Sequence, residues 1–265
     1  MKFWIEGGSA LVVTFTVLIS ALLTMCLVWL VDQLWEQDAR RRHNDVAGYM
    51  ISVVAVVYAV LLGFVTVTVW ENYDKASASV GDEAVLIADI YRDVGVLPQS
   101  VADAVRRDLV SYASAVIGEE WPMQMAGRQV RSTHSALDKV PQHLMDAATS
   151  DPVTVVFLRE IAQRLNKLND ARRARVFASN RPVPSPIWMA VIVGSICIVG
   201  FSLSFGFYDL YVHMMMSSAL SGSIALVLSV IVGLSSPFQG VTAISSEPFK
   251  HTLEYMQTSD LKVDG

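Results

Sequence analysis

The sequence predicts an all-α integral membrane protein, with four transmembrane helices arranged 2+2 around a central helical cytoplasmic domain. Three observations point there. The 265 residues are 53% hydrophobic and only 17% charged, with a mean hydropathy of +0.43, more apolar mass than a water-soluble domain of this size buries. Long windows carry no charged side chain, and the segment between them repeats its apolar residues at helical spacing.

The first pair of spans occupies residues 1–70. Between Glu6 and Asp32 lie 25 residues without an ionisable Asp, Glu, Lys, Arg or His, and roughly 20 suffice to cross the hydrocarbon. This sets the first span at about 9–31. Cys26 lies within it, but Met25 stands where a lipoprotein signal needs a small residue, and the apolar run exceeds a signal-peptide core, so it reads as a retained span. A second window of 25 residues, between Asp45 and Glu71, gives a span at about 47–70.

Residues 71–181 form the predicted soluble domain. Tyr73, Ala76, Val80, Ala84, Ile87, Tyr91 and Val94 recur at steps of three and four, one seam of a helix that continues the second span. Pro98 ends it. Ser100 with Asp103 resembles a capping box for a helix carrying Val101, Val105, Leu109, Tyr112 and Val116, stopped by Gly118 and Trp121-Pro122. A weaker helix is expected from about Gln129 to Ala148, with Pro141 inside it. Asp151-Pro152 opens another, with Leu158, Ile161, Leu165 and Leu168 on one face.

The second pair occupies 182–236, with spans at about 186–207 and 211–234, followed by a tail at 237–265. Between Arg181 and Asp209 lie 27 uncharged residues. Ser185 is a candidate cap and Pro186 fits a first helical turn. From Leu210 to Ser246 the one ionisable group of these types is His213. Phe207, Tyr208 and Tyr211 around the intervening turn suit a membrane interface.

An even number of spans puts both termini and the central segment on one side. That side carries Lys2, Lys75, Arg172, Arg173, Arg175, Arg181 and Lys250 near the span ends, against Arg40, Arg41 and Arg42 on the other. Seven basic residues against three predict that the termini and the central domain face the cytoplasm, in a cell inner (plasma) membrane. The lipid bilayer is thus the first partner. A net charge of −5 lacks the basic excess that nucleic acid would require. Cys26 and Cys197 read as buried small hydrophobes.

No phosphate-binding loop, dinucleotide fingerprint, HExxH helix or nucleophile elbow occurs, so no enzyme activity, cofactor or metal is predicted. His134 and His143 read as solvated, and Glu119-Glu120 as structural. Arg172, Arg173 and Arg175 either contact anionic lipid headgroups or serve only as a topology signal. No span has a Lys, Arg, Asp or Glu near its centre, which argues against ion-coupled carriers. Small residues are spaced by four as candidate packing faces: Ala55, Ala59 and Gly63 in the second span, and Ser217, Ser221, Ala225, Ser229 and Gly233 in the fourth. Val56, Val60 and Phe64 form a bulky row that could close an apolar constriction among several copies; spacing alone also fits residues facing lipid or a neighbouring helix.

Linear motifs add to this reading. They are His43-Asn44, Trp70 and Tyr73, Asp82-Glu83-Ala84, Tyr91-Arg92, Leu97-Pro98, Tyr112, Glu120-Trp121-Pro122, Gly127, Arg172 and Arg175, Pro186 and Trp188, and Pro237-Phe238-Gln239-Gly240. In order and spacing, over nearly the whole chain, they resemble the bestrophin-like group of bacterial four-span membrane proteins, a domain of unknown function. The resemblance implies the architecture above and a homo-oligomeric, pentameric anion channel with the second span lining the pore, hence inorganic ions as partners. Where bestrophins carry an acidic calcium-binding stretch after Pro-Phe-Gly, this sequence has Val241-Thr242-Ala243-Ile244, so calcium gating is not expected. The alternative is a non-conducting scaffold or sensor that signals through its cytoplasmic helices.

Overall fold

The computed structural model describes residues 2–128, 130, 135–147, 151–179 and 183–263. All regular structure among them is helical. The elements are α1 (Lys2–Leu34), α2 (Gln37–Arg41), α3 (Asn44–Asp93), a 3₁₀ turn (Val94–Val96), α4 (Gln99–Ala115), a π turn (Val116–Glu120), α5 (Trp121–Met125), α6 (Ser135–Asp146), α7 (Pro152–Ser179), α8 (Ser185–Ser204), α9 (Leu210–Ser235) and α10 (Glu247–Val263). Helices α1, α3, α8 and α9 are long and apolar enough to cross a membrane. Gln129, His134, Ala148 and Arg181, used in the sequence reading, lie outside the described residues.

The chain divides into two compact units, Met1–Asn72 with Pro182–Ser235 and Tyr73–Arg181 with Ser236–Gly265. In the first, α1 packs along α9. Ser218 Oγ donates to Ala21 O (3.2 Å) and Ser20 Oγ to Ser221 O (3.3 Å). Small side chains let the two backbones approach, and their hydroxyls satisfy carbonyls where no water is available. Ser217, Ser221 and Ala225 are buried there and Ser229 is half-buried, its hydroxyl donating to Ala225 O.

At one end of this unit the two helical hairpins are clasped together. Asn44 makes a two-way contact with Gly206, its Nδ2 donating to Gly206 O (2.9 Å) and its Oδ1 accepting from Gly206 N (3.0 Å). Arg41 Nη2 donates to Phe207 O (2.8 Å), and its guanidinium lies 3.6 Å over the Tyr208 ring. Arg40 is buried, paired with Asp32 at 2.6 Å and bonded to Phe205 O at 3.3 Å. A Cβ on Gly206 would stand 2.7 Å from Arg41 N and 2.9 Å from Gln37 O, both backbone atoms that yield little. Gly206→Ala is therefore expected to cost about 1–3 kcal/mol, read as a lowered melting temperature in detergent; an unchanged melt would contradict this clasp.

The second unit builds its core on the seam of α3. Ala76, Val80, Ile87, Tyr91 and Val94 are buried with Val105, Leu109 and Tyr112 of α4, and with Ile161, Leu165 and Leu168 of α7. The tail closes the core, since Phe249 and Phe238 meet Trp121 edge-on at 5.8 and 5.7 Å. Thr252 Oγ1 donates to Ala84 O (3.1 Å), and Tyr91 hydroxyl to Met256 O (3.1 Å). Asp151 caps α7, its Oδ2 accepting from Thr154 N at 2.9 Å.

Several local expectations are corrected. Gly118 and Trp121-Pro122 do not stop α4: the chain passes through the π turn, and Pro122 sits in the first turn of α5, where its missing donor is not needed. The cap positions of α4 and α8 are Pro98 and Pro184, so Ser100 and Ser185 lie just inside their helices rather than capping them. Cys26 and Cys197 are exposed on α1 and α8, not buried.

Candidate functional site

The candidate constriction lies on α3. Val56, Val60 and Phe64 are 65%, 53% and 70% exposed, so none of the described helices of their unit covers them. Tyr58, Val65 and Val69 are buried instead; the two valines form a cluster with Val191 of α8 and Ile231 of α9, flanked by Trp188. At 3.6 residues per turn the buried set lies roughly 160° round the helix from the exposed row. The apolar row is thus left on the side opposite α3's internal contacts. Ala55 is half-buried, whereas Ala59 and Gly63 are exposed and a Cβ on Gly63 would meet nothing within 4 Å, so at these last two positions none of the described helices of the unit packs against α3.

Tyr58 is the polar member of the buried face. Its hydroxyl donates to Val191 O (3.1 Å) and is bonded to Ser195 Oγ (2.5 Å). His213, buried in α9, donates from Nε2 to Ser202 O (2.9 Å) and stacks on Phe207 at 4.8 Å.

The second unit holds a buried ion cluster. Arg175, with no exposed surface, donates from Nε to Glu83 Oε2 (2.7 Å), from Nη2 to Glu83 Oε1 (3.0 Å) and Glu120 Oε2 (2.6 Å), and from Nη1 to Gln124 Oε1 (2.9 Å). Tyr112 hydroxyl donates to Glu83 Oε1, and Arg172 Nη2 to Glu120 Oε1 at 3.0 Å. The Arg175 guanidinium lies 5.8 Å from the Trp121 ring and 5.6 Å from Phe249. Four helical segments supply these groups: α3 (Glu83), α4 (Tyr112), the π turn with α5 (Glu120, Gln124) and α7 (Arg172, Arg175). The wider π turn brings Glu120 inward beside Trp121.

This cluster overturns the lipid-headgroup expectation for Arg175 and Arg172, whose charges point into the protein because buried carboxylates hold them there. Arg173 alone of the three is exposed, at 76%, and it pairs with Asp170 at 2.8 Å. His143 is not simply solvated, because its Nε2 lies 3.1 Å from Asp108 Oδ2. Sequence reasoning missed Tyr58 and the pairing of Glu83 with Arg175. The available signal was charge: Glu83 falls on the apolar seam of α3 beside Val80, Ala84 and Ile87, a position where a carboxylate needs a cation.

Burial alone raises the Glu120 carboxyl, but the Arg175 charge, with hydrogen bonds from Arg175 and Arg172, more than reverses this and holds it below its ordinary value. Burial disfavours the Arg175 cation, and the Glu83 charge and hydrogen bonds, with the Tyr112 and Glu120 charges, together outweigh that and raise it. Tyr112 is pushed well up by burial and by the Glu83 charge. A depressed Glu120 contributes stability that is complete above the unfolded carboxylate value of about 4.3 and is lost as pH falls through the lower folded value. Between about pH 5 and about pH 3 the wild type should therefore lose more thermal stability than Glu120→Gln; equal losses would contradict the pairing.

Comparison with known proteins follows the same outline. Residues 18–249 match the family described as a bestrophin-like domain. A crystal structure of a variant of a bacterial bestrophin homologue from Klebsiella pneumoniae is 14% identical, covering 91% of this chain and 97% of that one, with a TM-score of 0.70. Another structure of such a homologue from Klebsiella pneumoniae is 14% identical over 90% and 96%, with a TM-score of 0.69. A variant of a membrane protein is 17% identical over 92% and 96%, at 0.67. At these identities the likeness is one of fold. No curated protein matches the chain in sequence.

Proposed function

The chain belongs to the bestrophin-like family, which its residues 18–249 match, and from that membership we propose a homo-oligomeric, anion-conducting channel in which α3 lines the pore. Val56, Val60 and Phe64 form its constriction. Five copies surround the axis, as the family resemblance implies. The channel sits in the plasma membrane, with both termini and the domain at 71–181 in the cytoplasm. Ala55, Ala59 and Gly63 offer the face on which a neighbouring copy's helix can approach.

The observation that carries this reading is the exposed apolar row on the side of α3 opposite its internal contacts. A ring of such rows gates by excluding water from a narrow apolar neck. The uncharged spans agree with a conduit rather than an ion-coupled carrier, and the reading is of a channel, not an enzyme. Purified protein in a planar bilayer should pass current, with a reversal potential that follows a chloride gradient. A monomer that passes no current under any tested ion would overturn the proposal in favour of the scaffold or sensor.

A further inference from the structure

Helix α3 is tied to the α8–α9 hairpin by side-chain hydrogen bonds at two heights. Near its start, Asn44 grips Gly206; fourteen residues on, roughly 21 Å along the axis, Tyr58 reaches α8. The Tyr58 ring lies over Gly194, where a Cβ would stand 2.4 Å from ring Cδ2 and 2.5 Å from Cε2, so only glycine leaves room for it. Its hydroxyl meets Val191 O and Ser195 Oγ, both one turn or less from that glycine. Ring and notch fix position, and the hydroxyl fixes rotation, because turning the helix breaks both hydrogen bonds at once.

Tyr58 falls between Val56 and Val60 in the chain, yet points roughly 160° away from the mean direction of the row. We infer that Tyr58, seated in the Gly194 notch and bonded to Val191 and Ser195, is the positioning residue that sets which way Val56, Val60 and Phe64 face. It rests on the pore reading and adds what holds the constriction in register. Val65 and Val69 pack on the same side of α3, and to that packing Tyr58 adds a keyed ring and directional hydrogen bonds.

Disulfide formation between copies tests the inference without requiring current. In full-length protein with Cys26→Ser and Cys197→Ser, the reporter Phe64→Cys should crosslink neighbouring copies in the membrane. Adding Tyr58→Phe, which keeps the ring and removes the hydroxyl, should lower the yield about fivefold, the population change that one net hydrogen bond supports. Gly194→Ala should lower it at least as far, with the oligomer's elution unchanged. Undiminished yield in both variants would overturn the positioning role and leave the pore reading standing. If Gly194→Ala does not assemble, Tyr58→Phe decides alone: a fall supports the role and an unchanged yield overturns it. A reporter that never crosslinks in the parent protein would overturn the pore reading and this inference with it.

Discussion

Replacing Arg175 with Met should destabilise the second unit by about 3–5 kcal/mol, because it strands buried carboxylates without their cation. Arg175 contacts Glu83 through two nitrogens and Glu120 through one, all within 3.0 Å, and none of the three side chains is more than 3% exposed. The loss of an exposed ion pair would be worth at most about 1 kcal/mol, so the size of the effect discriminates buried from surface pairing. Chemical unfolding in detergent, followed by fluorescence of Trp121 against a background lacking the other tryptophans, would report it. The double variant Glu83→Gln with Arg175→Met should recover part of the loss, since removing both partners costs less than removing one. A single-variant loss below about 1 kcal/mol would mean that the cluster is solvated.

Phe64→Ala carries the largest expected effect on activity. Its ring is 70% exposed within the chain, so truncation costs little packing there, yet in the proposed assembly it widens the narrowest apolar ring. Unitary conductance in a planar bilayer should rise about threefold or more, because an apolar neck of larger radius stays wet. Val65→Ala is the counterpart. Val65 is buried against the α8 and α9 cluster, so its truncation should lower thermal stability by about 1–2 kcal/mol while leaving conductance near that of the wild type. If Phe64→Ala conducts as the wild type does, the row is not the constriction.

The elements most legible in the sequence are those whose signal is one-dimensional. An uncharged window long enough for the hydrocarbon marks a span, and the seam from Tyr73 to Val94 marks a helix whatever it packs against. The continuation of the second span into that seam appears as the unbroken α3. What could not be read depends on partners distant in the chain. Arg172, Arg173 and Arg175 look alike beside a span; only the arrival of Glu83, 92 residues away, and Glu120, 55 residues away, separates the buried Arg175 from the exposed Arg173. Tyr58 reads as one more large residue near a bulky row until Gly194 of another helix is placed beneath its ring. Gly118 and Pro122 are helix-breaking by composition, yet a π turn carries the chain through Gly118, and Pro122 falls in the first turn of α5, with Glu120 and Trp121 between them buried in the core.

Electron cryomicroscopy of the purified protein in lipid nanodiscs tests the central claim most directly, because it shows the assembly and the direction of α3 together. The expected result is a closed ring of copies with α3 innermost and Val56, Val60 and Phe64 turned toward the axis. A monomer, or a ring whose axis is lined by α1, α8 or α9 while the Val56, Val60 and Phe64 row faces lipid, would contradict it.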